Sequence, residues 1–255
     1  MRVPILAARL ARGVALVAWA WVLFFVSTPV SASGFSDWGA IVVAGDWHAH
    51  SGAPSEVFDN ARRDLAANLV QLGFKPENVL QFSMRPERYP KANPAHSDPA
   101  AIANALWDLS NRTSGGCLAY FTSHGSPDGL ALNDDVLPPH KLARMLDNAC
   151  GDRPTVVIVS ACFSGVFIPA LATPERFVFT AARPDRTSFG CGESDKYTFF
   201  DTCMMQDLRA SGDFPDLAHN VEACVATREK KEGVYPSEPQ LSIGSAVAKQ
   251  LPVWK

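Results

Sequence analysis

Four uninterrupted apolar runs constrain this chain more than any other feature: AIVVAG (40–45), CLAYFTS (117–123), TVVIVSA (155–161) and RFVFTAA (176–182). They do not alternate apolar with polar residues, so each reads as a strand buried on both faces, as in a parallel sheet. VLQFS (79–83) is a shorter fifth run. Between these runs, apolar residues recur at spacings of three and four. Residues 55–72 place Phe58, Ala61, Leu65, Leu69 and Leu72 on one helical face, with Ser55 as the expected N-cap and Gly73 as the stop. Residues 98–110 open on Asp98-Pro99 and bury Ile102, Leu106 and Leu109. Residues 139–150 bury Leu142, Met145 and Leu146 and end at Gly151. Strands alternating with helices predict an α/β domain with right-handed crossovers and a mostly parallel sheet. Beyond residue 184 the pattern predicts a loop through Tyr197, helices over roughly 200–211 and 215–230, and a last strand in PQLSIGSAV (239–247).

The 255 residues are 47% hydrophobic and 19% charged, which suits one globular domain with a sizeable core. A net charge of −3, with no basic excess, disfavours nucleic acid as a partner. Arg2, Arg9 and Arg12 precede an uncharged apolar run from Gly13 to Val26, followed by STPVSAS. Such a layout predicts a signal peptide over residues 1–32, cleaved after Ala32, and a single domain over 33–255 exported to a periplasm or the extracellular space. The apolar run is short for a bilayer span, which needs about 20 residues, so membrane attachment is expected only if the segment is not cleaved. Export puts the six cysteines in an oxidising space, where an even set can pair. Cys117 starts one strand and Cys150 ends the helix before the next, which places both at one edge of the sheet and suggests a disulfide. Cys191, Cys203 and Cys224 can pair in three ways. No CxxC pair suggests zinc or a thioredoxin site.

Ligands of open parallel sheets bind at the carboxyl ends of the strands. Those ends present Asp46, His48 and His50, then His124-Gly125, then Cys162 with Ser164-Gly165. His124 and Cys162 each follow a buried strand directly, with one strand–helix–strand unit between them. Strands joined in this way commonly lie side by side, about 4.8 Å apart. A thiol beside an imidazole can act as a nucleophile, because the imidazolium raises the thiolate fraction. The plainer alternative is a small buried cysteine and a loop histidine.

The residues around the pair favour the chemical reading. YFTSHGSPDGLAL (120–132) and VIVSACFSG (157–165) resemble the two catalytic segments of the legumain family of cysteine peptidases, a family of the caspase-like clan that also includes the GPI-anchor transamidase. AIVVAGD (40–46) is similar to that family's first strand, LGFKPENVLQFS (72–83) to its passage into the second, and FTAARPDRTSFGCG (179–192) to the segment bordering its specificity pocket. The similarity runs over about residues 39–200.

This resemblance implies a caspase-like three-layer sandwich, with a mostly parallel central sheet flanked by helices. It implies an endopeptidase in which Cys162 is the nucleophile, His124 its acid/base partner, and the backbone N–H groups of Gly125 and Cys162 the oxyanion hole. Ser160, Thr187 and Ser188 fall where the family binds substrate. Asn-cleaving legumains use an Arg-His pair before the first helix, where this chain reads PSEVFDN, and an acid where Ser160 stands. Specificity for Asn is therefore only partly carried over. No cofactor is called for, and the expected partner is a peptide or protein substrate. The residue that orients His124 has no signature; Asp46 and Ser55 are candidates by position alone.

Other readings compete. Asp46-x-His48-x-His50 at a first strand end also opens the ligand sets of metal-dependent hydrolases, but the remaining histidines, His96, His140 and His219, fall in no ligand run, so no metal is expected. The default for His48 and His50 is solvated loop residues beside the cleft. A noncatalytic peptide-binding module would keep the fold, and a transpeptidase would pass the acyl group to an amine rather than to water.

Overall fold

The computed structural model describes Met1, residues 34–132 and residues 134–255. The expected targeting segment, Met1 apart, lies outside the described residues. Residues 34–132 and 134–255 belong to one compact unit. In chain order it contains β1 (Gly39–Ala44), α1 (Val57–Gln71), β2 (Val79–Ser83), β3 (Ala95–His96), α2 (Pro99–Arg112), β4 (Cys117–Thr122), β5 (Gly125–Ser126), β6 (Gly129–Leu132), β7 (Asp135–Leu137) and α3 (Pro139–Cys150). There follow β8 (Thr155–Ser160), α4 (Ile168–Leu171), β9 (Arg176–Thr180), α5 (Phe199–Asp207), α6 (Phe214–Glu232) and β10 (Gln240–Ile243).

Seven strands make one sheet in the order β10-β9-β8-β4-β1-β2-β3. All neighbours are parallel except β10, which runs antiparallel to β9 at the edge. Every residue of β1, β4 and β8 is buried, the expectation for strands covered on both faces. Period-two alternation splits their side chains between two cores. Ala40, Val42, Tyr120 and Ile158 pack with Leu65 and Leu69 of α1, Phe200 and Met204 of α5, and Leu217 and Val221 of α6. Ile41, Val43, Phe121, Val157 and Val159 pack with Ile102, Leu106 and Leu109 of α2 and with Leu142 and Leu146 of α3. Each such side chain contributes at most about 1.5–3 kcal/mol through burial. The result is the expected helix–sheet–helix sandwich.

Three departures have local causes. Helix α1 begins at Val57, two residues after the expected cap, because Ser55 N–H bonds the Trp47 carbonyl and Pro54 bridges to His48. Ser55 Oγ still accepts the Val57 N–H at 3.2 Å. A small antiparallel sheet, β5-β6-β7, follows His124 where no strand was expected. Its strands are too short for a periodic signal, and its first turn is the Pro127-Asp128-Gly129 cluster, where Gly129 sits at φ +145°. The edge strand β3 is two residues long and exposed.

Cys117 and Cys150 form the expected disulfide. A second, Cys203–Cys224, ties α5 to α6 and leaves Cys162 and Cys191 as free thiols. No helix among the described residues is long and apolar enough to cross a membrane.

Candidate active site

Strands β4 and β8 are adjacent and in register, with Thr122 opposite Ser160. His124 and Cys162 each stand two residues beyond these partners, so both leave the same edge of the sheet. They line one cavity of about 430 Å³, together with His50, Thr187, Ser188 and Cys191. Among the described residues, no Asp, Glu, Lys or Arg lines it.

The imidazole of His124 is held at one nitrogen. Its Nε2 lies 3.1 Å from the carbonyl oxygen of His48, which can only accept, so Nε2 carries the proton. That leaves Nδ1 without a protein partner among the described residues. Phe58 meets the ring edge-on, with centroids 5.1 Å apart. The His48 carbonyl is itself fixed by Asp46, whose Oδ1 accepts the Trp47 N–H at 2.6 Å, the His48 N–H at 2.9 Å and the His48 Nδ1–H at 2.7 Å. Asp46 thus reaches His124 only through the loop it ties, and Ser55 is engaged instead by the Val57 N–H at the start of α1. Sequence offered no handle on the orienting group, because a backbone carbonyl has no residue-type signature.

Cys162 sits on a tight turn between β8 and a short 3-10 helix, Ser164–Phe167. The turn forces Phe163 to φ +56°, a left-handed conformation that costs a non-glycine residue about 1–3 kcal/mol. Phe163 N–H to the Arg186 carbonyl (2.7 Å) and Ala182 N–H to Ser164 Oγ (3.1 Å) hold it there. The thiol faces Ser188: Sγ accepts the Ser188 N–H at 3.3 Å and lies 3.7 Å from its hydroxyl. Gly125 passes so close that a Cβ there would stand 2.2 Å from the Cys162 carbonyl oxygen.

The remaining candidates fall as follows. Thr187 and Ser188 line the cavity, on a segment clasped to the 46–55 loop by His50 N–H to the Cys191 carbonyl at 2.9 Å and by Ser51 Oγ–H to Glu193 at 2.7 Å. Ser160 is fully buried beneath the cavity, its hydroxyl 3.3 Å from that of Thr198, and does not line it. His48 binds Asp46 and packs against Trp47, whereas His50 is exposed at the cavity's edge. Burial pushes the Cys191 thiol up, and the neighbouring Cys162 adds to the shift.

These features define a caspase-like fold with a thiol and an imidazole at one cleft. Solved structures of the same fold include caspase-1 from Spodoptera frugiperda, 16% identical, with a TM-score of 0.58 over 82% of this chain and 87% of that one. A structural-genomics protein from Geobacter sulfurreducens, 12% identical, also has a TM-score of 0.58, over 84% of this chain and 96% of that one. The sequence profile of the Peptidase C13 family, the legumain family, matches residues 101–249. The chain belongs to that family of cysteine peptidases. No curated protein matches it at a significant level.

Proposed function

We propose that this protein is an exported cysteine endopeptidase that hydrolyses peptide bonds through Cys162 and His124. The observation that carries the reading is the convergence of the two side chains on one cavity from the ends of adjacent parallel strands. The Cys162 thiol passes its proton to Nδ1 of His124, and the resulting thiolate attacks the scissile carbonyl carbon, whose π electrons move to oxygen. The backbone N–H groups of Cys162 and Gly125 stabilise that oxyanion; among the described residues the Cys162 N–H donates to no other group. Collapse expels the amine, which takes its proton from Nδ1 of His124, and leaves a thioester. Water, deprotonated by Nδ1, then attacks the thioester and restores the thiol.

No charged side chain of the described residues lines the cavity, which favours an uncharged residue before the scissile bond, with the Thr187 and Ser188 hydroxyls as hydrogen-bond partners. The two disulfides support an oxidising compartment, consistent with export. The test is mass-spectrometric mapping of cuts in a mixed peptide pool by the full chain and its Cys162→Ala variant, with a mild reductant present. Cuts made by the parent and lost in the variant are expected. Equal cutting by both, or none by the parent, overturns the reading.

A further inference from the structure

Directly beneath the two proposed catalytic residues lies a carboxylate that the mechanism does not use. Asp201, in the first turn of α5, is 0% exposed. Its Oδ1 accepts the Tyr120 hydroxyl at 2.5 Å and its Oδ2 the Thr122 hydroxyl at 2.8 Å, both from β4. Ser160 of β8 and the helix cap Thr198 turn their hydroxyls toward the same group, 3.3 Å from each other, and Asp201 N–H closes the ring onto Thr198 Oγ1 at 3.0 Å. No cation is paired with Asp201 among the described residues. A buried carboxylate without a counter-ion costs several kcal/mol after relaxation, and a core that needed only volume here would be better served by an apolar residue.

Its placement suggests what the carboxylate is for. Thr122 and Ser160 are register partners, and each stands two residues before a member of the proposed dyad. Thr122 and Ser160 are the last residues of β4 and β8, so they anchor the two strand ends from which the chain runs on to His124 and Cys162. The same helix start reaches the cavity wall: Phe199 N–H donates to the Phe189 carbonyl at 2.9 Å, and a Cβ on Gly190 would meet the Phe199 ring at 2.6 Å. One side chain therefore ties the strand before His124, the strand before Cys162 and the start of the helix against which the 187–190 segment rests.

We propose that Asp201 is a positioning residue that fixes the spacing of His124 and Cys162, acting through Thr122 and Ser160. It rests on the peptidase reading given above, and the geometry predicts that loosening the ring lowers turnover more than substrate binding. Misplacement by about 1 Å can cost on the order of a hundredfold in rate, so a partial loosening is expected to cost about tenfold.

The test compares the full-length parent with Asp201→Asn, Thr122→Val and Thr122→Ser. Four quantities are read: kcat and KM on denatured casein, the rate of Cys162 alkylation by iodoacetamide, and Tm. Expected are a roughly tenfold lower kcat with KM within about twofold for Asp201→Asn and Thr122→Val, slowed alkylation in both, and recovery in Thr122→Ser, which keeps the hydroxyl. A lower Tm with kcat, KM and alkylation unchanged would mean a purely structural role and overturns the proposal. If Asp201→Asn fails to fold, Thr122→Val, which keeps the carboxylate, decides. If the parent leaves casein intact, the peptidase reading fails, and alkylation alone still decides whether Asp201 positions the thiol and imidazole.

Discussion

The Nε2 of His124 lies 3.1 Å from the carbonyl oxygen of His48. That single contact selects the tautomer of the imidazole and turns its lone pair, on Nδ1, away from the loop. The contact depends in turn on Asp46, which holds the His48 backbone and ring through one oxygen.

The first prediction concerns that loop. Asp46→Ala frees the Trp47 and His48 N–H groups and lets the carbonyl drift. Turnover is expected to fall about tenfold to a hundredfold, the range typical of a misplaced general acid/base. Loss of the hydrogen bonds should cost about 1–3 kcal/mol of stability. Steady-state kinetics with a urea titration separates the two effects. Unchanged kcat would show that the loop does not orient His124.

A second prediction follows from the close approach at Gly125. A methyl group there would stand 2.2 Å from the Cys162 carbonyl oxygen and 3.0 Å from Ala161 Cβ, so the chain on one side must move. Gly125→Ala should destabilise the protein by about 1–3 kcal/mol and, by shifting Cys162, cost more activity than stability. A variant that keeps full activity would contradict the packing described.

The disulfides give a third. Cys117–Cys150 closes 33 residues and Cys203–Cys224 closes 21. In the chain-entropy account, removing either as a Cys→Ser pair costs about 2–4 kcal/mol, with the longer loop slightly the more costly. Denaturant midpoints of the two double variants check both the size and the order.

The fourth concerns pH. Burial raises the Asp201 carboxyl above its ordinary 3.8, outweighing the hydroxyl bonds that work in the other direction. A folded-state value above the unfolded one means that the stability it contributes is fully present below about 3.8 and is lost as pH rises through the folded value. Asn, which cannot ionise, escapes that loss. The Tm of Asp201→Asn relative to the parent should therefore rise as pH increases above about 3.8. A constant difference would mean that Asp201 is not desolvated.

What could be read from sequence follows from how each signal is encoded. The strands β1, β4, β8 and β9 were legible because burial on both faces leaves an unbroken apolar run, and α2 because Asp98-Pro99 marks its start and Ile102, Leu106 and Leu109 its buried face. The places of His124 and Cys162 at the sheet's carboxyl edge were legible because each directly follows such a run, while their reading as a reacting pair came from the likeness of 120–132 and 157–165 to the legumain segments. β5–β7 were not, being shorter than any period. The pairing of Cys203 with Cys224 was not, because it depends on how α5 packs against α6. Nor was the His48 carbonyl, which belongs to the backbone, or Asp201, whose partners come from β4, β8 and the cap of α5.

The proposed chemistry requires Cys162 and His124 to act as one unit. The most direct measurement is the rate at which iodoacetamide alkylates Cys162 at neutral pH in the parent and in His124→Ala, with Cys191 as the internal reference. Cys191 lines the same cavity but has its thiol pushed up by burial, so it should react slowly in both proteins. Cys162 is predicted to react at least about tenfold faster than Cys191 in the parent and to lose that advantage without His124. Equal rates for Cys162 in the two proteins would contradict the dyad.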